Sequence, residues 1–570
     1  METVVTFLLI IGAIFLVSFL AGRNNEKTMR EKCFRAWDKS FGKVPAKKMS
    51  PQRFEHIRGY EKRHRGTFTI DDITWNDLDM DQVYRRIDAT ESASGEEYLC
   101  FLLRTPAQKT EETAVDEALI HHFEEEDGAA DRKAILWILR SLGHTGAYSL
   151  YDYLDRLDEL GERSNTREIL QLILPFAMIG VMFWNTRVGL ILLLISLAAN
   201  VITYFQGKSR ISPYLACFRY LLRLLKCADR LSVVLQKSDP ALYRKEIEAL
   251  NRGREALSSF RRGSSMLMAG SASSGNPVDV VLDYVRIFFH IDLIKFNAML
   301  SDVKTHLADI DELTGVMGRL DAQISIASFR KSLPSVCVPD LVETTGKEAP
   351  VLEVKGLVHP LLAKPVANDL AAKRGVLLTG SNASGKSTFL KSIMLCALLS
   401  QSIHTAPATS YRGSYFRLLT SMALRDSIRE GQSYFMVEIR SLKRILDASK
   451  ETDSCPVLAA IDEVLRGTNT IERIAASGEI LPALEKGNAL IFAATHDIEL
   501  SELLKNSFTN MHFTEEIKDG DVVFSYRLMD GPATTRNAIR LLSMVGFDSA
   551  LTRNAEERAE HFEQTGEWKL

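Results

Sequence analysis

The chain has 570 residues, of which 46% are hydrophobic and 25% are charged, a composition that predicts roughly three to four folded domains and excludes a chain that is disordered throughout. The formal net charge is only −3, so the overall charge gives no argument for a nucleic-acid partner, and only local patches could provide one. The seven cysteines include no Cys-x-x-Cys pair, which indicates reduced cytosolic thiols rather than disulfides or a zinc site.

The amino-terminal segment is the first predicted membrane element. Residues 4–22 contain no charged side chain, and this length is sufficient to cross a hydrocarbon layer of ~30 Å. The basic stretch that opens a cleaved signal peptide is missing, because Glu2 is the only charged residue before the apolar run. We therefore predict an uncleaved transmembrane anchor over residues 1–22.

A predicted transmembrane hairpin lies at 168–207, where two uncharged runs flank a turn at 185–187. Lys and Arg outnumber Asp and Glu by 14 to 5 over 22–67 and by 13 to 5 over 207–270, so both flanks should be cytoplasmic. With the anchor, this predicts a multi-pass protein of the cell membrane with three spans, membrane lipids as partners, and every large segment inside the cell. A hairpin buried in a soluble domain remains the alternative.

Helical periodicity dominates the rest of the first 340 residues. We predict that 23–167 combines a basic cytoplasmic segment with the first part of a helical core, and that 208–340 continues this core as long helices. In the second region four basic residues recur at spacings of four, three and four and so share one helix face: Arg219, Arg223, Lys226 and Arg230. That face contacts either phosphates or anionic lipid headgroups, and its position just after the hairpin favours the lipid.

From 341 to 570, short apolar strands alternate with helices, which predicts an α/β domain. Near-continuous apolar runs at 375–380, 456–462 and 489–495 indicate the central strands of a parallel sheet. The predicted fold class is an α-helical core with transmembrane helices, followed by an α/β nucleotide-binding domain.

The segment that follows the first of these strands fits the phosphate-loop (P-loop) pattern GxxxxGK[ST] and opens a predicted helix, which is the context the pattern requires. In such a loop, backbone N–H groups bind phosphates, the lysine reaches the β- and γ-phosphates, and the final hydroxyl ligates Mg²⁺. We therefore predict that ATP with Mg²⁺ is bound by Gly380, Ser381, Asn382, Ala383, Ser384, Gly385, Lys386, Ser387 and Thr388.

Acidic residues and a histidine follow the other two predicted strands. The strand at 456–462 delivers Asp462 to its carboxyl end, where it can bind the metal together with Ser387. Glu463 comes next, at the place where hydrolytic ATPases of this architecture keep the residue that polarises the attacking water. His496 lies just past the strand at 489–495, where it can sense the γ-phosphate. We predict that Glu463, Lys386 and His496 are catalytic.

The order of these motifs resembles the MutS branch of the ABC-type ATPases. The resemblance rests on GSNASGKSTFLKS (380–392), DSIREGQSYFMVEI (426–439), IDEVLRGTNT (461–470) and FAATHDIEL (492–500), and it extends over about 68–160 and 208–560. It implies a P-loop ATPase domain of the ABC/MutS type. It also implies that Ser433 reaches the nucleotide bound by a partner subunit, and hence a homodimer with composite ATP sites. DNA binding related to mismatch repair is a further implication.

The chain departs from the family pattern at several positions. Ala383 and Ser384 replace the usual Met-Gly, Leu465 stands in place of a Gly, and Val366 stands where an aromatic residue commonly stacks on adenine. The 22–67 segment is too short for the family's mismatch-reading and connector domains. We expect a membrane-anchored, MutS-like ATP hydrolase with DNA-binding activity. The alternative is an ABC-like motor or an ATP-gated scaffold that acts on a membrane process without DNA.

Overall fold

The structure, a computed structural model, describes residues 24–161, 164–261, 284–285, 287–344, 348–381, 384–422, 434–518, 521–533, 539, 542 and 546–568. The predicted anchor over residues 1–22 lies outside these residues, as do Asn382, Ala383 and Ser433. The chain forms two compact units. The first is drawn from Met1–His64, Ile87–Phe101 and Glu117–Lys331, and the second from Arg65–Arg86, Leu102–Asp116 and Ser332–Leu570.

Helices make up most of the described chain before residue 333, as the sequence predicts. Residues 24–40 are helical. The helices that follow are α1 (Pro51–His56), α2 (Gly59–Arg63), α3 (Asp72–Asp77), α4 (Met80–Ile87), α5 (Ala93–Arg104), α6 (Glu117–Glu124), α7 (Ala129–Leu142), α8 (Leu150–Leu154), α9 (Thr166–Trp184), α10 (Thr186–Ser238), α11 (Arg244–Ala256), α12 (Ser258–Arg261), α13 (Ile291–Thr305) and α14 (Leu307–Ser332).

The predicted hairpin is formed by α9 and the first part of α10. Within the described residues, two stretches are long and apolar enough to cross a membrane, Thr166–Trp184 and Thr186–Ser212, and only 6% and 22% of their apolar windows are buried. The core helix of a soluble protein would be mostly buried, so this exposure favours the membrane over the soluble alternative. The third predicted span lies outside the described residues.

The turn between the two arms is shorter than the sequence suggests. Only Asn185 separates α9 from α10, and its side chain caps α10 by accepting a hydrogen bond from the N–H of Val188 at 3.3 Å. The second arm also runs on through residue 207 without a break, because α10 is one helix as far as Ser238. A single rigid element therefore joins the apolar hairpin to the helical unit.

Asn200, which interrupts the second apolar run, links three segments of the chain. Its amide donates hydrogen bonds of 2.8 Å to the carbonyls of Gln171 on α9 and of Phe288. The side chain is buried at 1% exposure. A buried amide bonded in this way holds neighbouring helices in register, which explains why a polar residue is tolerated in this run.

The second unit contains two sheets in its described part. One has the strand order β1-β5-β2-β3 and the other has the order β10-β9-β4-β8-β7-β6, in which every neighbouring pair is parallel except β10 with β9. The strands are β1 (Asp340–Val342), β2 (Leu352–Leu357), β3 (Asn368–Ala372), β4 (Val376–Thr379), β5 (Ser410–Ser414), β6 (Arg417–Ser421), β7 (Val457–Asp462), β8 (Ala489–Ala494), β9 (Thr509–Lys518) and β10 (Asp521–Asp530).

The three apolar runs of the sequence are the central strands β4, β8 and β7, and every residue in them is buried. The helices of this part of the chain are α15 (Lys386–Ile403), α16 (Tyr434–Ser449), α17 (Thr470–Glu485), α18 (Glu499–Leu503) and α19 (Ser549–Thr565). The observed architecture is thus a helical region followed by an α/β domain with a largely parallel sheet. The carboxyl ends of parallel strands are where such sheets place their ligands.

A segment from the helical region packs into this α/β unit. On α3, Asp77 is buried and accepts hydrogen bonds from the hydroxyl of Thr420 at 2.7 Å and from the N–H of Met422 at 3.0 Å. The Thr74 hydroxyl of the same helix accepts a bond of 3.3 Å from the N–H of Thr420. Residues 65–86 are therefore part of the structural support of β6.

Candidate functional site

The predicted phosphate loop connects β4 to α15, where the chain turns sharply. Gly380 has a φ of 140° and Gly385 has a φ of 110°, values that favour glycine because it lacks a Cβ. Gly385 is also the N-cap of α15. The first free N–H groups of this 18-residue helix therefore face the loop, and they give the site positive potential.

Lys386 is buried and points back into the loop. Its ammonium donates hydrogen bonds to the carbonyls of Gly380 at 2.6 Å and Ser381 at 2.7 Å. Ser384 is 1% exposed, and among the described residues its hydroxyl has no hydrogen-bond partner. A buried ammonium and an unpaired buried hydroxyl in one glycine-bounded loop fit an anionic ligand such as a phosphate group.

Ser387 and Asp462 meet across the sheet edge, as the sequence predicts for a shared metal. The Ser387 hydroxyl donates a hydrogen bond of 2.6 Å to Asp462 Oδ2. Asp462 is the last residue of β7, and it pairs in register with Ala494 of β8. A hydroxyl and a carboxylate are oxygen ligands of the kind Mg²⁺ prefers, so the donor set fits this ion.

Glu463 has a strained backbone that turns its side chain toward the loop. Its φ is 62°, in the left-handed region that costs energy for a residue with a Cβ. Its N–H donates a bond of 2.9 Å to the carbonyl of Ala494, which holds this conformation. A residue that keeps such a costly backbone conformation commonly does so because its side chain has a function there.

Both carboxylate oxygens of Glu463 have a partner. Oε1 lies 2.5 Å from His496 Nε2, and Oε2 lies 2.5 Å from Arg466 Nε. Burial alone would raise the pKa of Glu463, but the hydrogen bond from His496 and the charges of Arg466 and Lys386 lower it below its ordinary value. The carboxylate is therefore held in the ionised form, which is the form a general base needs.

His496 bridges the acid and the phosphate loop. Its Nδ1 lies 3.2 Å from the carbonyl oxygen of Gly380, while its Nε2 faces Glu463. Its two ring nitrogens thus face two different parts of the site, the carbonyl of the loop and the carboxylate. A side chain in this position connects the loop to the acidic residue directly.

Arg466 was assigned no role from the sequence. Besides its contact with Glu463, it lies 3.6 Å from Asp462, so it touches both acidic residues of the site. The signal was available, because Arg466 follows the acidic pair by three to four residues in the motif at 461–470. What could not be foreseen is that the chain folds back at Leu465, whose φ is also positive at 57°.

A cavity of about 480 Å³ lies beside these residues, within the ~300–1,000 Å³ of typical small-molecule sites. Ser381, Lys386, Ser387, Thr388, Asp462, Glu463 and His496 line its polar side. The apolar side includes Val366, which is 38% exposed, and Tyr526, which is 45% exposed. The sequence pointed to Val366 as a missing aromatic, and the structure brings the aromatic ring of Tyr526 to the same cavity.

His359 also lines the cavity, in the neutral form. Burial, together with the nearby charge of Lys391, lowers the pKa of His359 to about 4. Of the predicted binding residues, Asn382, Ala383 and Ser433 lie outside the described residues, so their roles stay predictions. The remaining predicted residues are brought together at one edge of the sheet.

Comparison with known proteins gives two findings. The model of the family "MutS domain V" matches residues 376–563, which contain the phosphate loop, the acidic pair and His496. The DNA mismatch repair protein MutS of Lactobacillus delbrueckii subsp. bulgaricus is 28% identical over 284 residues, which cover 48% of this chain and 32% of that protein. The match therefore spans about a third of the relative's length. Over residues 376–563, which carry the candidate site, the chain is therefore similar to the MutS family.

Proposed function

We propose that the protein is a membrane-anchored, MutS-like ATPase that binds and hydrolyses ATP at composite sites in a homodimer, and that it contacts DNA. The observation that carries the proposal is the arrangement of Lys386, Ser387, Asp462 and Glu463 around one cavity at the carboxyl edge of the parallel sheet. Lysine, hydroxyl, metal-binding acid and ionised general base are the groups that phosphoryl transfer to water requires.

ATP binding follows from the loop. The N–H groups at the start of α15 and the ammonium of Lys386 bind the phosphates, and Lys386 does so by exchanging its present carbonyl partners for phosphate oxygens. The Ser384 hydroxyl provides a further donor. Ser387 and Asp462 would hold Mg²⁺, which supplies positive charge next to the phosphates.

Hydrolysis requires a base for the attacking water. Glu463 accepts a proton from water as the water oxygen attacks the γ-phosphorus, and the bond to the leaving phosphate oxygen breaks. Each oxygen of Glu463 has one partner, Arg466 on Oε2 and His496 on Oε1, and since a carboxylate oxygen can accept two hydrogen bonds, the attacking water can bind beside them. His496 remains as the group that orients the carboxylate.

The base of ATP packs against the apolar side of the cavity. Tyr526 offers an exposed ring face beside Val366, and stacking on an aromatic ring is tolerant of base identity. We propose Tyr526 as the residue that compensates for Val366 in adenine binding.

The dimer, the membrane and the DNA complete the proposal. The dimer is supported by the resemblance around Ser433, which implies that each subunit completes the other's site. Membrane anchoring is supported by the exposed apolar arms of α9 and α10. DNA contact is supported by the similarity to a DNA mismatch repair protein. The same hairpin favours a second candidate, an ATPase motor or scaffold that acts on a membrane process without DNA.

Phosphate release from ATP by the purified full chain in lipid nanodiscs tests the proposal. We expect turnover that stops in EDTA and is lost in Lys386→Ala. The control variant is Lys505→Ala, whose lysine is exposed and pairs only with Glu502 among the described residues. Equal turnover in Lys386→Ala and Lys505→Ala would contradict the site. Sedimentation with and without ATP tests the dimer, and a purely monomeric protein with ATP would contradict composite sites.

A further inference from the structure

The outward face of α10 after the hairpin carries a line of positive charge. Arg219 and Arg223 are half-buried, and Lys226 and Arg230 are exposed. The residues between them form the buried side of the helix: Tyr220, Leu221, Leu222, Leu224, Leu225, Cys227 and Ala228. We call Arg219, Arg223, Lys226 and Arg230 the basic stripe.

The positive charge of the stripe is not neutralised by acidic side chains. The only acidic residue from 212 to 238 is Asp229. Its Oδ1 lies 2.6 Å from Arg254 and its Oδ2 lies 2.6 Å from Arg261. Among the described residues, no carboxylate forms an ion pair with a member of the stripe. Arg223 donates to a backbone carbonyl, that of His144 at 3.0 Å, which leaves its charge in place. The stripe is therefore available to an external anion.

The geometry of α10 separates the stripe from a lipid surface. The uncharged run ends at Gly207, the candidate span ends at Ser212, and α10 continues as one helix that rises ~1.5 Å per residue. Measured from Ser212, Arg219 is ~10 Å, Lys226 ~21 Å and Arg230 ~27 Å beyond the end of the candidate span. An average tilt of ~20° shortens these distances by only ~6%.

Lipid headgroups do not extend that far. They add roughly 5–8 Å to each side of the hydrocarbon layer, and electrostatic interactions fall off over a Debye length of ~8 Å at physiological salt. Anionic lipid can therefore attract Arg219, but Lys226 and Arg230 lie beyond its range. Sequence position alone favoured lipid for this face, and the length of the unbroken helix reverses that preference.

The phosphate backbone of a nucleic acid matches the spacing of the charges in the basic stripe. The four charges are separated by ~4.5–6 Å along the helix and extend over ~16 Å, and a phosphate backbone presents a comparable line of regularly spaced negative charges. Val233 is the one exposed large apolar side chain among the described residues from 212 to 238, which is too little to anchor a protein partner, while Arg and Lys are the usual phosphate contacts. We propose that the basic stripe binds the phosphate backbone of duplex DNA without reading its bases. This inference rests on the proposed DNA contact and names its surface.

The test measures binding of a fluorescein-labelled DNA duplex to the full chain in phosphatidylcholine nanodiscs. Fluorescence anisotropy is recorded from about 50 to about 200 mM salt, because each neutralised phosphate contributes ~0.9 to the slope of log affinity against log salt. For Lys226→Gln/Arg230→Gln we expect the slope to fall by about 2 and the affinity at ~50 mM salt to fall at least about tenfold.

The matched control removes two positive charges elsewhere in the same unit. Arg244 and Arg252 on α11 have side chains that are 78% and 61% exposed, and Arg244→Gln/Arg252→Gln should leave the slope unchanged. An equal loss in both double variants would mean that only net charge matters, and would overturn the assignment. Thermal unfolding of each variant establishes that it is folded.

The remaining outcomes separate this inference from the proposed function. If the wild type hydrolyses ATP and binds DNA but the stripe variant keeps the full slope, the stripe inference alone is wrong. If DNA binding is unchanged and phosphatidylserine stabilises the wild type but not the variant against unfolding, the stripe faces lipid. If the wild type does not bind DNA at low salt, both the DNA contact and the stripe inference are wrong.

Discussion

His496 Nε2 lies 2.5 Å from Oε1 of Glu463, and this contact links the phosphate loop to the acidic end of β7. The same imidazole reaches the carbonyl of Gly380. His496 therefore contacts both the loop that is predicted to bind phosphate and the acid that is predicted to act as the base. The pair of His496 and Glu463 therefore gives the most specific tests of the proposed ATP hydrolysis.

Replacing His496 should alter the acid limb of the pH profile. The hydrogen bond from His496 helps to lower the pKa of Glu463, so in His496→Asn this pKa rises and turnover is lost at a higher pH than in the wild type. We expect kcat to fall by about 10- to 100-fold, the usual cost of losing a group that orients a catalytic side chain. The exposed His121, changed to Asn, is the control. An acid limb at the same pH in His496→Asn and wild type would contradict the role of His496.

Tyr526 should matter more for ATP binding than Val366 does. A base stacked on an aromatic ring gains about 1–3 kcal/mol, so Tyr526→Ala should weaken ATP binding by about tenfold or more, and Val366→Ala should have a smaller effect. Binding of inorganic triphosphate, which has no base, should be the same in both variants. A larger loss in Val366→Ala would show that adenine packs on the other side of the cavity.

Asp77 should stabilise the α/β unit from a distant part of the sequence. Asp77→Ala leaves the Thr420 hydroxyl and the Met422 N–H without their acceptor, and each unsatisfied buried group costs about 1–3 kcal/mol. Met422 immediately precedes the 423–433 segment that contains Ser433, so ATP-dependent dimerisation should weaken as well. Thermal unfolding and sedimentation measure the two effects. The exposed Asp453, changed to Ala, is the control, and an equal melting temperature for the two variants would refute this support role.

Asp321 should make the helical unit less stable as the pH rises. Burial raises the pKa of Asp321 to about 7, despite hydrogen bonds from Ser92 and Glu91, against ~3.9 in an unfolded chain. Between these values the folded state holds a proton that the unfolded state has lost, so stability is fully present below pH ~3.9 and is lost as the pH rises through 7. We expect the melting temperature to fall between pH ~5 and ~7.5.

Asp321→Asn cannot titrate and should remove much of this dependence. The informative quantity is the difference in melting temperature between wild type and variant at each pH, since other groups cancel in it. The variant should lose more stability relative to wild type at pH ~5 than at pH ~7.5. Asp127→Asn, at an exposed position, should follow the wild type. A difference that does not change with pH would contradict the raised pKa of Asp321.

The sequence predicts the parts of this protein that depend on local pattern. The strands β4, β7 and β8 were found from continuous apolar runs, because a strand buried on both faces needs apolar residues throughout. The sequence places Lys386, Ser387, Asp462, Glu463 and His496 near one edge of the sheet, because each lies at or after the carboxyl end of such a strand, and their catalytic and binding roles stay predictions. The two arms of the hairpin were found from their length without charge.

Other features depend on contacts between distant segments, which local pattern does not encode. The hydrogen bonds of Asp77 to Thr420 and Met422 join residues more than 340 positions apart, so the membership of 65–86 in the α/β unit was not foreseen. Arg466 and Tyr526 reach the site through backbone turns with positive φ, at Leu465 and at Tyr526 itself. The unbroken course of α10 past residue 207 was missed because a change from apolar to amphipathic pattern does not end a helix.

The central claim is that Glu463 is the base for ATP hydrolysis, and Glu463→Gln tests it most directly. The amide keeps the shape of the side chain but cannot accept the proton, so kcat should fall by about 10²–10⁴-fold while ATP affinity stays within about twofold. Glu479→Gln, at an exposed position on α17, is the matched control and should turn over like the wild type. The measurement is phosphate release at saturating ATP by the full chain in nanodiscs. We expect a loss confined to Glu463→Gln, and undiminished turnover in that variant would contradict the role of Glu463 as the base.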